Sequence, residues 1–568
     1  MQNDNLSLYV YFTPMEKTMS LTNMQRSPGV YLTETDLSQS IIGPSTTVGA
    51  VVGASPKGPV SKPALITSTT EFTNTFGIPV PSVSFMHYGA LSYLLDGGTI
   101  YAMRVLGAGA LWAGCYLTVD SASATPPILS LSSFSTTAGS VTTPVGIFDP
   151  INTMGFLVSS PNNATTLLYF AAIDPGAWNN RITIQVTPSN PLGAAIGIGH
   201  DVTTFYVKVY IDYADTSSQP AEIFLCSREQ SVDGFGNQLF VESVINTKSK
   251  IINVKNNPFC GVVNIETNAL LTLVGGADGA LPTSGQIATA WSVLADPETY
   301  PINVLINAGY STPDVQHAMD ATAKALGNCV ALLDVPSNLQ QTADATTYRN
   351  VALNLDSNYS ALYTPDVLVY DPYNDMQLYI PLSGYAAAIC ARTDQQAALW
   401  KAPAGLTRGI LNVLGVRQIY NQQARDALDA ANINMLRKFS NGMGYVLWGQ
   451  NTLQSEASAL SNLNVRRLIS YIEKAISGSS LYSDFELNSS LLRLFISNLA
   501  TSFLQPIKNA GGLYDFKVVC DDTNNTNDTV ASGDLMLDCY FDPVIPAKRI
   551  HLNAIITKTG SAFTTTIS

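Results

Sequence analysis

Residues able to carry out chemistry are few in this sequence and widely separated. Its four histidines fall in four different segments, at His87, His200, His317 and His551. No His-Glu-x-x-His, Gly-x-Ser-x-Gly, Walker A or Gly-x-Gly-x-x-Gly pattern occurs. The nearest glycine-rich loop, at 107–110, lacks the third glycine of a phosphate-binding loop and predicts a turn. We therefore expect no enzyme, no catalytic residue and no cofactor.

One segment rich in oxygen ligands could hold a metal ion. Its acidic and amide side chains are Asp521, Asp522, Asn524, Asn525, Asn527 and Asp528. Calcium takes such ligands, but their spacing is not that of an EF-hand. A solvated hairpin loop is the simpler interpretation, so we expect no metal site either.

Composition points towards a protein that works through its surfaces. Charged residues make up 12% of the 568 residues, about half of the roughly 25% typical of soluble domains. A protein surface that is poor in charge is covered by neutral polar residues or by neighbouring subunits, and we favour subunit interfaces. The net charge of -13 and the pI near 4.7 argue against direct contact with nucleic acid, which requires clustered Lys and Arg.

Two further features bear on the cellular compartment. The seven cysteines are odd in number and never spaced as Cys-x-x-Cys, which indicates reduced, mostly buried thiols made in a cytosol. No segment holds 18 continuous apolar residues, so we expect no direct contact with a membrane.

Two parts of the chain have the pattern of an α/β fold. In 44–106, the run Val48–Gly53 suits a buried strand, 65–67 and 99–105 are further strands, and a helix is expected at Met86–Leu95. In 281–399, strands at 302–306, 329–334 and 366–370 alternate with a helix at Pro313–Leu326. That order and spacing predict a parallel sheet with right-handed crossovers.

The segments between these two α/β parts are predicted to form β structure. Ser, Thr, Pro and Gly with short apolar runs dominate 107–164, which predicts an inserted, β-rich unit. A second β-rich unit is expected at 165–280, with strands at 167–173, 181–186, 204–213 and 221–227.

The last unit, 400–546, combines helices with a sheet. Apolar residues recur with helical spacing from Val465 to Ile476 and from Leu492 to Phe503, with Asn488 as the expected N-cap of the second helix. Strands are expected at 514–520 and 535–541, joined by the polar loop 521–533.

Both ends of the chain, 1–43 and 547–568, contain a strand without a sequence-local partner. Residues 30–35 alternate after a turn, and Ile550, Leu552, Ala554 and Ile556 alternate with Arg549, His551 and Asn553. Such a strand joins a distant sheet of its own chain or adds to the sheet of a neighbour. For the N-terminal strand, the sequence alone favours its own chain.

Several short motifs occur in an order that resembles contractile tail sheath proteins of long-tailed phages and related injection machines. The motifs are Ser27-Pro28-Gly29-Val30-Tyr31, Pro175-Gly176-Ala177-Trp178-Asn179-Asn180, Leu273-Val274-Gly275-Gly276-Ala277-Asp278-Gly279, Trp400-Lys401-Ala402-Pro403-Ala404-Gly405, Gly444-Tyr445-Val446-Leu447-Trp448-Gly449, Asn464-Val465-Arg466-Arg467-Leu468 and Pro543-Val544-Ile545-Pro546-Ala547. Each motif is weak, but their order extends over about 27–106 and 165–556. The resemblance reverses the weighting for the N-terminal strand, in favour of exchange between copies.

The resemblance implies a multidomain α+β and α/β subunit that forms stacked hexameric rings around a tail tube and also meets baseplate and tail terminator proteins. It implies a C-terminal mixed helix-sheet core completed by terminal strands of neighbours, and inserted β-rich domains that face outward. The implied interface residues are Val30, Tyr31, Leu32, Thr33 and Glu34 in the N-terminal arm, and Arg549, Ile550, Leu552, Ala554 and Ile556 in the C-terminal arm. We also expect at least one of Arg466 and Arg467 to reach a carboxylate across an interface.

Contraction of such a sheath would drive the tube through a host envelope for genome delivery, and the protein would reside in a virion tail assembled in the host cytoplasm. A bacteriocin-like or type VI-like injection particle is the alternative within this class. A static coat or surface-layer protein, and an α/β enzyme built on 281–399, are the alternatives outside it.

Overall fold

The structure is a computed structural model of the chain. It describes residues 47–121, 128–133, 166–189, 204–215, 218–257, 265, 268–439, 442 and 444–549. All of these lie in the larger of two compact units, Ile41–Ser568, and the smaller unit, Met1–Ser40, lies outside the described residues.

The strands, numbered in chain order, belong to five sheets. They are β1 (Val48–Gly53), β2 (Ala64–Ile66), β3 (Thr99–Arg104), β4 (Gly114–Ser121), β5 (Ile128–Ser133), β6 (Thr166–Ala172), β7 (Ile182–Pro188), β8 (Thr204–Ile211), β9 (Glu222–Ser227), β10 (Ile252–Asn256), β11 (Ala269–Thr272), β12 (Val304–Ile306), β13 (Val330–Asp334), β14 (Ser360–Thr364), β15 (Val367–Asp371), β16 (Met376–Ile380), β17 (Ile410–Leu411), β18 (Gly415–Val416), β19 (Ile433–Phe439), β20 (Gly444–Leu447), β21 (Leu513–Val519) and β22 (Asp538–Pro543).

The α-helices lie mainly in the second half of the chain. They are α1 (Thr69–Phe76), α2 (Met86–Leu95), α3 (Val241–Lys248), α4 (Ser284–Val293), α5 (Pro313–Leu326), α6 (Thr342–Thr347), α7 (Ser383–Gln396), α8 (Gln422–Ala430), α9 (Leu463–Ser480), α10 (Ser490–Asn509) and α11 (Asn527–Ser532). None of the helices in the described part of the chain combines the length and hydrophobicity that a bilayer-spanning segment needs.

The largest sheet has nine strands in the order β17-β20-β19-β14-β13-β12-β1-β3-β2. From β19 to β3 all neighbouring strands are parallel, which confirms the prediction of a parallel sheet. The order runs outward from β1 in both directions, as in a doubly wound fold. We call this sheet with its helices, from 47–106 and 281–453, the α/β domain.

Helices cover both faces of the large sheet. Successive residues of a strand point to opposite faces, so Val51 joins one hydrophobic cluster with α2 and α7, whereas Ala50 and Val52 join another with α4 and α5. All six residues of β1 are buried, because each face meets a helical layer. Five of the six cysteines in the described residues are buried, and none of the six forms a disulfide.

Two four-stranded sheets form a β domain between the two halves of the α/β domain. Their strand orders are β10-β6-β4-β5 and β11-β7-β8-β9, and all pairs are antiparallel. Apolar residues from both sheets and from α3 share one core, which includes Phe170, Ile184, Val207 and Ile245.

The C-terminal domain, 455–549, contains α9, α10 and the hairpin β21–β22, whose loop includes the short helix α11. Its core is small, with Leu468, Ile472, Leu504, Ile507 and Leu513 buried. The N-cap of α10 is Ser489, whose hydroxyl accepts from Leu492 N, and not the predicted Asn488.

The observed domains differ from the predicted segments in three places. The segments 44–106 and 281–399 share one sheet, through the pairing of Val304 with Gly49 in β1. The predicted boundary at 400 does not separate two cores, because β19 pairs with β14 and β20 pairs with β19. The segment 107–164 supplies β4 and β5, which share a sheet with β6, so its described strands are part of the β domain and not a separate insertion.

Candidate functional site: an open sheet and its junction

The hairpin β21–β22 is a two-stranded sheet with both outer edges unpaired among the described residues. Its strands pair in antiparallel register from Leu513 opposite Pro543 to Val519 opposite Asp538, with an irregularity between Leu513 and Asp515. An isolated hairpin is at best marginally stable in water, and an open edge carries unsatisfied N–H and C=O groups. The arrangement can therefore accept further strands.

The two faces of this hairpin differ. Phe516, Val518 and Phe541 pack against the core of the C-terminal domain. Tyr514 and Tyr540 are 65% and 60% exposed. A strand added at either edge would extend the covered face over α9 and α10 only if its side chains alternate between apolar and polar.

The loop of the hairpin is held by its own hydrogen bonds. Asn524 Nδ2 donates to Val519 O at 2.9 Å, and the buried Asn525 donates to Met536 O at 2.9 Å. Asp521 accepts from Thr523 N at 2.8 Å, and hydrogen bonds from Thr523 hold the pKa of Asp521 below its usual value. Nowhere in the described ranges do three His, Cys, Asp or Glu side chains converge as a metal site would require.

A buried ion pair joins the C-terminal domain to the α/β domain. Arg467, in the second turn of α9, donates through Nη2 to Asp394 Oδ2 of α7 at 2.5 Å, and both side chains are 4% exposed. Burial lowers the pKa of Arg467, but the adjacent Asp394 carboxylate outweighs burial and holds that pKa above its usual value. The pair therefore stays charged in a place that water hardly reaches.

Arg466 also finds its partners within the chain. Its Nη2 donates to Glu473 Oε2 at 2.6 Å, and its guanidinium lies 4.6 Å from the centre of the Tyr359 ring. That Arg466 or Arg467 reaches a carboxylate across an interface stays a prediction; within one chain both are buried against their own α/β domain. The physical reason is that α9 begins directly on that domain, where Leu463 N donates to Gln450 O.

Five residues line this contact between the C-terminal domain and the α/β domain, namely Trp400, Asn464, Arg466, Arg467 and Gly512. We call them the junction. Asn464 Nδ2 donates to Trp400 O at 2.9 Å. A Cβ atom at Gly512 would lie 2.7 Å from Ile507 Cγ2 and 3.1 Å from the Trp400 ring. The sequence motifs at 400–405 and 464–468 therefore meet in space, and Gly512, which sequence reasoning missed, permits the close approach.

Two other predicted motifs meet where the β domain joins the α/β domain. Ala177 N donates to Asp278 Oδ1 at 2.9 Å, and Asn180 Nδ2 donates to Gly276 O at 3.0 Å. Arg104, at the end of β3 and fully buried, donates to Pro175 O at 2.8 Å. These motifs hold the base of the β domain.

Doubly wound folds bind ligands at the carboxyl ends of the strands where the strand order reverses, which here lies between β1 and β12. Tyr310 lies beside this end of β1. Its Oη accepts from Ala54 N at 2.9 Å and donates to Ser84 Oγ at 3.2 Å. A Cβ atom at Gly53 would lie 2.9 Å from the Tyr310 ring, so the ring packs closely against β1.

Two titratable groups near this sheet are buried structural residues. His87 Nε2 lies 3.3 Å from Phe76 O, and burial lowers the pKa of His87 to about 4, so the ring is neutral. Asp334 accepts from Ser383 N at 2.7 Å at the start of α7, and burial raises the pKa of Asp334 to about 7. The carboxyl group thus acts as a cap for α7.

Of the predicted interface residues in the arms, only Arg549 lies in the described part of the chain. Its Nη2 donates to Asp429 Oδ2 of α8 at 3.3 Å. The remaining ones, Val30, Tyr31, Leu32, Thr33, Glu34, Ile550, Leu552, Ala554 and Ile556, lie outside the described residues.

Comparison with known families gives two adjoining matches. The model of the phage tail sheath protein central domain matches residues 280–453, and the model of the phage tail sheath C-terminal domain matches residues 455–557. The resemblance to contractile tail sheath proteins is confirmed. The boundary between the two sheath domain models falls just before α9, which is where the C-terminal domain begins.

Curated tail sheath proteins match about half of the chain. The tail sheath protein of Enterobacteria phage T4 is 33% identical over 318 residues, which cover 52% of this chain and 48% of the relative. The tail sheath protein of Vibrio phage KVP40 is 31% identical over 317 residues, covering 51% and 47%. The chain thus spans about half the length of the curated relatives that it matches.

A solved sheath structure supports the fold. The crystal structure of a sheath tail protein from Listeria innocua aligns with a TM-score of 0.55 and 11% identity, over 89% of this chain and 97% of that one. At this identity the likeness concerns the mixed α/β fold alone.

Proposed function

We propose that this chain is the subunit of a contractile tail sheath. Copies polymerise as stacked hexameric rings around the tail tube, and the shortening of this helical array drives the tube through the host envelope for genome delivery. The protein resides in the virion tail after assembly in the host cytoplasm. Its partners are further copies of itself, the tail tube protein, and the baseplate and tail terminator proteins.

The observation that carries the proposal is the open hairpin sheet of the C-terminal domain, within the range matched by a tail sheath model. Added strands would satisfy the free edge groups of β21 and β22 and continue their covered face. The two arms supply candidates with the necessary alternation, Val30 to Glu34 at one end and Ile550 to Ile556 at the other. Each copy would then depend on neighbours to complete its sheet.

Exposed apolar side chains support extensive contacts between subunits. Between the end of α9 and the first turns of α10, six large apolar residues are each at least 57% exposed to solvent. They are Leu481, Tyr482, Phe485, Leu487, Leu491 and Leu494. Several large apolar side chains exposed in one segment favour an interaction surface there. Together with the low charge content, it favours a polymer over a free monomer.

The chemistry of the chain disfavours the alternatives. The net charge of -13 makes direct contact with a phosphate backbone unfavourable. Tyr310 packs against the carboxyl end of β1, the sheet end at which a doubly wound enzyme would bind a nucleotide. These two observations support a structural role that needs no cofactor.

The proposal is tested by negative-stain electron microscopy of the purified full-length chain. We expect hollow, striated tubes of two lengths, one extended and one contracted. A truncation that removes 550–568 should remain monomeric, and a matched truncation that removes only the tail 564–568 should still form tubes. Lattices of a single fixed repeat would instead indicate a static coat, and a monomeric parent protein would refute the proposal.

A further inference from the structure

A small cavity lies between the C-terminal domain and the α/β domain, beside the buried ion pair of Arg467 and Asp394. Its volume is about 20 Å³. The α/β domain contributes Asn303 and Asn328 to its wall, and α9 contributes Arg467 and Ser470. A volume of about 10–15 Å³ is enough for one water molecule, so the cavity has room for water but not for an organic ligand.

Three polar atoms of these wall residues are buried and have no hydrogen-bond partner among the described residues. They are Arg467 Nη1, Asn303 Oδ1 and Asn328 Oδ1. The first is a donor and the other two are acceptors. A buried donor or acceptor without a partner carries its full desolvation cost, and native structures contain few such groups. Three of them around one small cavity therefore indicate a ligand that forms hydrogen bonds with all three.

The fold places both asparagines at the amino end of the large sheet. Asn303 directly precedes β12, and Asn328 lies between α5 and β13, the neighbouring parallel strand. The backbone of Asn303 is already engaged, because its N donates to Val48 O at 2.8 Å and its O accepts from Val330 N at 3.0 Å. Only its side chain can serve a ligand. Doubly wound folds bind their substrates at the carboxyl end of the sheet, so this cavity lies at the opposite end.

Charge selects among the small ligands that would fit. An anion would meet two amide oxygens, and the Asp394 carboxylate already balances the charge of Arg467. A metal cation would meet the charged guanidinium of Arg467 and be repelled by it. Water is neutral, and it can accept one hydrogen bond while it donates two. Its hydrogen-bonding capacity matches the one donor and the two acceptors of the cavity.

We propose that this cavity binds one ordered water molecule, which accepts from Arg467 Nη1 and donates to Asn303 Oδ1 and Asn328 Oδ1. A buried water usually makes about three hydrogen bonds, as this one does. The water joins α9 to the amino ends of β12 and β13, and a bridge of this kind is nearly as favourable as a direct hydrogen bond. The inference concerns contacts within one copy of the chain, so it does not depend on the proposed function.

The first test is a crystal structure or an electron-microscopy map of the full-length protein that shows ordered water. We expect one peak at about 2.7–3.2 Å from Arg467 Nη1 and from both asparagine Oδ1 atoms. The peak should have the same height in chloride and in bromide buffer, because water scatters equally in both. A peak that grows in bromide would identify an anion and overturn the proposal. A map without a peak, or with a protein group bound to Nη1, would also overturn it.

The second test removes both acceptors in the full-length variant Asn303→Leu/Asn328→Leu. The water then loses two of its three hydrogen bonds, so the peak should disappear. Because Nη1 is left without a partner, the amides of α9 should exchange with solvent about tenfold faster than in the parent in the same state of assembly. Asn358→Leu is the matched control, since Asn358 lies just before β14, the next parallel strand, but does not line the cavity. This control should keep both the peak and the exchange rate of α9.

Two outcomes of the second test would contradict the proposal. If the peak persists in the double variant, the asparagines do not bind the water. If the peak disappears while the amides of α9 exchange as in the parent, the water does not join the two domains. Should the double variant fail to fold, Asn328→Leu alone, which changes only the turn after α5, should weaken the peak, and an unchanged peak would again refute the assignment.

Discussion

Removal of the Arg467 charge should loosen the C-terminal domain more than any surface change. In Arg467→Met, the Asp394 carboxylate keeps its place in α7 at 4% exposure but loses the cation 2.5 Å away. Breaking a buried pair by removing one partner costs about 3–5 kcal/mol, because an uncompensated charge stays buried. Replacing both partners by apolar residues of similar size is close to neutral. The double variant Arg467→Met/Asp394→Leu should therefore recover most of the loss.

The appropriate assay is native-state hydrogen exchange of the chain without 550–568, which we expect to remain monomeric, because a chain with several domains does not unfold in one step. A loss of about 3–5 kcal/mol in the local opening free energy corresponds to about 10²- to 4 × 10³-fold faster exchange of the protected amides of α9. Lys508→Met is the control, since the pair of Lys508 with Asp515 is 36% and 71% exposed and contributes less than about 1 kcal/mol.

Two results would contradict this reasoning. If the amides of α9 exchange in Arg467→Met at less than about ten times their rate in the parent, the ion pair does not hold the junction. If the double variant exchanges as fast as the single variant, the loss comes from packing of the Arg467 side chain and not from the charge that it leaves behind.

Two further predictions concern the junction and the buried carboxyl group of the α/β domain. Gly512→Ala should destabilise the C-terminal domain by about 1–3 kcal/mol, because the new methyl group would meet Ile507 and the Trp400 ring. The control Gly478→Ala has open space around the new methyl group and should not destabilise the domain. Thermal melts of the two variants would decide this. Burial raises the pKa of Asp334 to about 7, against a value near 4 in the unfolded chain. Between about pH 4 and pH 7 the carboxyl group is therefore protonated in the folded state and ionised in the unfolded state. Its contribution to the free energy of unfolding should fall by up to about 4 kcal/mol as pH rises from 4 to 7. Asp334→Asn should remove that part of the pH dependence of the melting temperature, and an unchanged pH profile would show that the carboxyl group is not protonated.

Local sequence signals determined many of the elements. The helix Pro313–Leu326 was predicted with its observed bounds, because Pro313 suits the first turn and Gly327 ends the helix. The strand Val48–Gly53 was likewise evident as a short apolar run. The order of the sheath motifs, read along the chain, is enough to predict the resemblance that the comparisons confirm.

Pairing between distant segments was decided only by the tertiary structure. The prediction placed a third parallel strand at 366–370, but Ser360–Thr364 occupies that position, and Val367–Asp371 joins a small antiparallel sheet with β16 and β18. Both runs are apolar, and their patterns do not reveal which one meets β13.

The roles of the two arginines illustrate the same limit. Their positions at the start of an amphipathic helix predicted charged contacts, but the carboxylate of Asp394 lies 73 residues away in the chain from Arg467. Composition and periodicity determine which residues are apolar and which elements form, because those signals are local. The partner of a buried charge, the packing of Tyr310 against β1 and the open edges of β21–β22 depend on which surfaces meet after folding, and no local pattern contains that information.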